Sequence, residues 1–164
     1  MKTEKREDAS SQNIMHVFQM ANNTIAESSN IDEMITAYNK VINFCANSYN
    51  CRNEKSIKRD VLLYWAYNNI ANSYCKKNMP EIALKYFEKA LSVAVSDKQK
   101  TMALEAMLDA IAKENLRVSE KCRKILNITK KLSAIYSKNE DIYDLRRISD
   151  LSLKTKKLLK KAGE

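Results

Sequence analysis

The sequence predicts an all-α fold of about seven helices joined as antiparallel hairpins, and three observations predict it. The 164 residues include one proline and one glycine, and Gly163 stands too close to the C-terminus to serve an internal turn. Tight β-hairpins and phosphate-cradling loops need positive φ, which residues bearing a side chain resist, so a β protein, a dinucleotide-binding fold and a P-loop are all disfavoured. Apolar residues recur every three or four positions, no stretch alternates as a strand does, and Leu, Ala, Lys, Glu, Met and Ile suit a helix. A hydrophobic content of 45% is enough for a core, and the length fits one domain.

The elements follow in order. Residues 1–12 are polar and charged and read as a flexible leader ahead of a single helical domain over 13–164. A first amphipathic helix spans Asn13 to about Ser28. A second runs from Ile31 to Ala46, with Asn30 as its cap and Glu33 in capping-box spacing. Polar Asn47–Lys55 reads as a loop. A long helix, Ser56 to Lys77, carries the apolar run Val61–Trp65. At Asn78-Met79-Pro80-Glu81 an Asn cap, a first-turn proline and an early acidic residue together predict a new helix start, and that helix runs from Pro80 to Val95. Ser96-Asp97 either closes it or opens the next, from about Lys98 to Asn115. A helix over Ser119–Ser137 follows, and Asn139 is expected to cap the last, from Glu140 to Lys161. Turns this short favour antiparallel neighbours.

One constellation is more specific. Tyr67, Ile70-Ala71 and Tyr74 lie on one helix, and Ala83, Phe87 and Ala90 on the next. Small residues let two helices approach closely while large ones fill the grooves beside the contact. This pattern resembles the tetratricopeptide repeat. Two features depart from that repeat: Val95 stands where a proline often closes it, and Asn78 stands near its turn glycine. An earlier copy is carried by Phe18, Ala21 and Ile25, with Asn22 at the small position, and by Met34, Tyr38 and Val41. The two copies lie 49 residues apart, against about 34 for the family, the loop and the long helix absorbing the excess. A third echo sets Leu132-Ser133 and Tyr136 against Asp144, Ile148 and Leu151. Several registers compete for Lys98–Asn115. The resemblance implies hairpins stacked as a short α-α superhelix, with at least three units needed for stability.

Such solenoids leave a concave face lined by the first helix of each pair. Trp65, Asn68, Asn72 and Lys76 fall on the side of their helix away from Tyr67, Ile70 and Tyr74, and His16, Gln19 and Asn23 hold matching places on the first helix. Amide side chains donate and accept, so they can grip a peptide backbone of any sequence. The alternative for these residues is ordinary solvated polarity, and for Trp65 a half-buried packing role. In the family, Asn at the positions of Asn23 and Asn72 commonly contacts bound peptide. Its clamp for chaperone tails also needs cations on two first helices, and Gln19 replaces one of them here, so a chaperone tail is a poor candidate ligand.

The net charge of +9 is uneven: residues 98–164 carry seventeen basic and nine acidic side chains, which is nearly the whole excess. Arg146, Arg147, Lys154, Lys157 and Lys161 form a basic patch on the last helix, whose Ile142, Leu145, Ile148, Leu151 and Leu158 read as an inward stripe. A solvated capping helix over 140–161 is one reading. Attraction to an acidic protein, RNA or an anionic membrane is the other, although no aromatics interleave with these cations.

Catalysis finds no support. There is one histidine, no Gly-rich loop, no nucleophile elbow and no recognisable carboxylate pair. Cys45, Cys51, Cys75 and Cys122 contain no C-x-x-C pair, so no metal or other cofactor is expected, and buried reduced thiols are favoured over a Cys45–Cys51 disulfide. With neither a signal-like segment nor an apolar run long enough to span a bilayer, a cytoplasmic location is expected. The sequence therefore points to a non-enzymatic adaptor or chaperone-like module holding another protein or peptide. A nucleic-acid role through the basic C-terminal third comes second, and a structural homo-oligomer third.

Overall fold

A computed structural model describes residues 16–23, 30–47 and 55–162. All its regular structure is helical: α1 (residues 16–23), α2 (Ile31–Asn47), α3 (Lys55–Lys76), α4 (Pro80–Val93), α5 (Asp97–Lys113), α6 (Val118–Lys138) and α7 (Ile142–Lys161). No strand occurs among the described residues. The expected leader, Ile25, Cys51 and most of the expected 47–55 loop lie outside them. The chain divides into two compact units, Met1–Val95 and Ser96–Glu164.

In the first unit α3 packs against both α2 and α4. Its 22 residues serve two contacts. The N-terminal part adds Leu62, Leu63 and Ala66 to the core formed with Ile35, Ala37, Tyr38, Val41 and Cys45, which also takes in Ala21 of α1. The C-terminal part pairs with α4. There Ile70, Ala71, Ala83, Phe87 and Ala90 are all wholly buried, as a close seam of small side chains flanked by one aromatic requires. Tyr64 is also wholly buried, its hydroxyl is pushed up to about 12 by loss of solvent, and Trp65 meets it edge-on at 5.2 Å. Beside the seam Tyr86 stacks on Tyr74 at 5.6 Å and approaches Tyr67 at 6.4 Å. The Lys89 ammonium lies 4.7 Å from the Tyr86 ring centre.

Helix α2 begins as expected. The Asn30 side chain accepts from Asp32 N at 3.0 Å and donates to Glu33 at 3.3 Å. The boundary at Asn78 differs from expectation. Asn78 does not cap α4; it closes α3 at φ 58°, and Met79 N donates back to the Tyr74 carbonyl at 3.0 Å. This is the left-handed C-terminal closure that glycine usually supplies, and Asn tolerates it better than most residues. Met79 precedes the helix without a side-chain cap, and Pro80 occupies the first turn, where it needs no N–H partner.

In the second unit α6 packs against α5 and α7. Ser96 opens α5, accepting from Gln99 N at 3.2 Å. Gln99, Ala103, Leu104, Met107, Ala110 and Ile111 form its buried stripe. Buried Glu114 closes α5 and takes both its side-chain hydrogen bonds from Lys124, at 3.0 and 3.1 Å. The last turn again departs from expectation. Asn139 ends α6, Glu140 sits at φ 55°, and Asp141 N donates to the Tyr136 carbonyl at 3.0 Å. The cap of α7 is Asp141, whose carboxylate accepts from Asp144 N at 3.1 Å.

Candidate protein-binding face

The residues expected to meet a partner lie on α1 and α3 of the first unit. Gln19, Asn23, Asn72 and Lys76 are exposed, as is His16, and Trp65 is half-buried. Asn68 departs from the expectation: it is 6% exposed and its Oδ1 has no hydrogen-bond partner. The reason is rotational. At about 100° per residue, Trp65, Asn72 and Lys76 fall close to one line along α3, whereas Asn68 lies roughly 60° round the helix, on the side of buried Tyr64 and Ala71. Spacing of three and four admits both positions, and only the fold separates them.

The sequence gives no hint of what holds these two helices in register. The Tyr38 hydroxyl of α2 donates to Asn22 Oδ1 at 3.1 Å and accepts from Asn69 Nδ2 at 2.7 Å. Asn22 and Asn69 border the exposed faces of α1 and α3, so one phenol joins the edges of both. Burial raises the Tyr38 phenol above its ordinary value, and the bond from Asn69 offsets part of the rise. The hydroxyl thus stays protonated, as a bridge that both donates and accepts requires. Phe18 lies against the same ring at 6.3 Å. A conspicuous ion pair, Lys77 with Asp32, ties the end of α3 to the start of α2. Between α1 and α2 a cavity of about 570 Å³ is lined by Val17, Met20, Ala21, Thr36, Ala37 and Phe44 together with Asp32, Glu33 and Lys40. None of these features carries a motif; each arises from residues brought together by the fold.

The basic patch is altered in one member. Arg146, Lys154, Lys157 and Lys161 are exposed on α7. Arg147 instead binds Glu105 of α5 and Asp144, the latter at 2.9 Å, and these carboxylates raise its already high pKa. It is committed inside the unit and adds little field outside. Of the expected inward stripe, Ile148 is buried and Leu145 and Leu151 are half-buried, whereas Ile142 and Leu158 face solvent. Cys45 and Cys122 are buried and Cys75 is half-buried. Among the described residues no cluster of three or more His, Cys, Asp or Glu is placed to hold a metal, and no helix is long and apolar enough to cross a membrane.

The tetratricopeptide repeat family model matches residues 64–96. Those residues are the C-terminal part of α3, the Asn78 turn and α4, the hairpin whose alanine seam is described above. Residues 64–96 thus form a tetratricopeptide-like hairpin within a chain whose described residues are all-α, and repeats of this type are in general protein–protein interaction modules rather than enzymes. No curated protein and no solved structure matches the chain.

Proposed function

We propose that this protein is an adaptor or chaperone-like module that holds an extended peptide or a helix of a partner protein against the exposed face of α1 and α3. One observation carries the reading: a repeat hairpin over residues 64–96 presents Asn72 and Lys76 to solvent while Gln19 and Asn23 are presented by the preceding first helix of the same unit. These side chains offer donors and acceptors to a peptide backbone and one cation to a carboxylate. Trp65 contributes its exposed edge, and buried Asn68 supports the face from behind. A cytoplasmic setting belongs to the same reading. Nucleic-acid binding through α7 is the weaker alternative, because Arg147 is spent on Glu105 and Asp144.

The test is affinity capture from nuclease-treated native lysate, followed by titration of the captured protein against wild type and the double variant Asn23→Ala with Asn72→Ala. Losing two side-chain contacts worth about 1 kcal/mol each weakens binding by about tenfold or more, with far-UV circular dichroism unchanged. Equal affinity in the two proteins would remove this face from the function.

A further inference from the structure

Helix α7 carries two apolar features. One, around Ile148 and Leu151, is spent inside the second unit. The other faces solvent: Ile142 is 79% and Leu153 53% exposed. Ile142, Arg146, Ser149, Leu153, Lys157 and Lys160 are all exposed, and their spacings of three and four set them in one line along the helix. The two aliphatic side chains on that line stand about 16 Å, or roughly three turns, apart. No ion pair among the described residues engages Arg146, Lys156, Lys157 or Lys160. Asp150 is the one exposed carboxylate on α7. Elsewhere in the unit Asp97 is held by Lys138 and Lys100, Glu105 by Arg147 and the Tyr136 hydroxyl, and Glu114 by Lys124, while Asp109, Glu120 and Glu140 are exposed. The line itself carries three cations and no carboxylate, so this face of α7 is net positive.

We infer that the outer face of α7 is a second protein-docking surface, separate from the α1 and α3 face, and that it takes an acidic amphipathic helix whose two leucine-like side chains lie about three turns apart. Charge and apolar spacing select this occupant together. RNA would be held by the cations through phosphate and would gain nothing from Ile142 and Leu153; the one exposed aromatic of α7, Tyr143, lies about a quarter-turn aside. A membrane would need a broad apolar stripe, and the broader stripe of α7 faces inward. An acidic amphipathic helix meets the cations with carboxylates and covers both aliphatic side chains with its apolar face.

The experiment titrates the full chain with a synthetic helical peptide of roughly 20 residues, rich in glutamate and carrying two leucines eleven positions apart. A copy with serine in place of the leucines, poly(U) RNA and phosphatidylserine-containing vesicles are run beside it. The leucine peptide is expected to bind at least tenfold more tightly than its serine copy. Ile142→Ser with Leu153→Ser is expected to erase that difference, and Arg146→Glu with Lys157→Glu to weaken the leucine peptide at least tenfold. All four positions are exposed, and circular dichroism checks that the fold is kept. The Asn23→Ala, Asn72→Ala protein should bind this peptide as wild type does, which separates the two surfaces. Equal affinity for the two peptides, tighter binding of poly(U) or of vesicles, or indifference to the serine variant would each overturn the inference.

Discussion

In the α3/α4 hairpin Asn78 turns the chain, and in α6/α7 Glu140 does; each sits at positive φ, and each is followed by an amide bonded back to a tyrosine carbonyl. Tyr74, Asn78 and Pro80 stand at the same offsets as Tyr136, Glu140 and Ile142. Beyond the turn the two part. Phe87, the buried aromatic of α4, has no counterpart at the same offset in α7, where Ser149 is exposed and Ile148, one residue earlier, is buried. A shift of one residue rotates the buried face by about 100°. The seams differ as well. Ala71, Ala83 and Ala90 are wholly buried, whereas Ser133, Asp144 and Leu151 are only half-buried. In the second hairpin a polar bracket does what close packing does in the first: Glu105 arrives from α5, accepts from the Tyr136 hydroxyl at 2.8 Å and binds Arg147. A common turn therefore brings two helices together without dictating how closely they pack; the small residues decide that.

The comparison can be broken most directly at the seams. Ala71→Leu forces methylenes into a filled contact and is expected to cost about 1–3 kcal/mol or more, whereas Ser133→Leu should stay within about 0.5 kcal/mol. Urea unfolding reads both, and equal losses would mean that the two hairpins close alike after all.

The polar bracket gives the next largest effect. Tyr136→Phe removes a hydrogen bond to a carboxylate and is expected to cost about 1.5 kcal/mol; Tyr74→Phe, with no such bond, should cost less than half of that. The same bond has a pH signature. Burial first, and Glu105 second, hold the Tyr136 phenol well above its ordinary value. A proton bound more tightly in the folded state stabilises below the unfolded pKa, near 10, and that contribution is lost as pH rises from there through the folded value. Unfolding midpoints should thus fall above about pH 10, and fall less in Tyr136→Phe than in wild type. Parallel curves for the two proteins would remove the bracket from the account.

The smallest effect sharpens the part that is shared. Glycine in place of Glu140 relieves a left-handed strain that glutamate resists, and should stabilise by about 0.5–1 kcal/mol. Asn78→Gly should gain only a few tenths of a kcal/mol, because asparagine already tolerates that region. A loss at either site, measured by thermal denaturation, would show that the turn is held by side-chain contacts instead.

The sequence made the repeat legible wherever one residue type served one purpose. Ala71, Ala83, Phe87 and Ala90 have no use in that spacing other than a close seam, and all four are buried as expected. Asparagine was harder to read, because it serves as helix cap, turn residue, surface amide and core hydrogen-bond partner, and this chain uses it in all four ways. Asn30 caps a helix, Asn78 turns the chain, Asn72 is exposed, and Asn69 holds Tyr38. The spacing of Asn68 is equally compatible with the exposed face and with the flank that the core covers, and the fold takes the second. Arg147 looked like its neighbour Arg146 until α5 brought Glu105 to it. Pairings between different helices leave no local trace, and the polar structure around the candidate face is made of them, Asn22 with Tyr38, Tyr38 with Asn69 and Asp32 with Lys77.

The Tyr38 hydroxyl has one further consequence. Greasy surfaces tolerate sliding, because any apolar neighbour serves nearly as well as the next. A phenol caught between two amides has one proton to give and a fixed direction in which to receive, so a slip of α1 along α2 breaks a bond without forming another. The gap between Gln19 with Asn23 on one helix and Asn72 with Lys76 on another is thereby a set dimension.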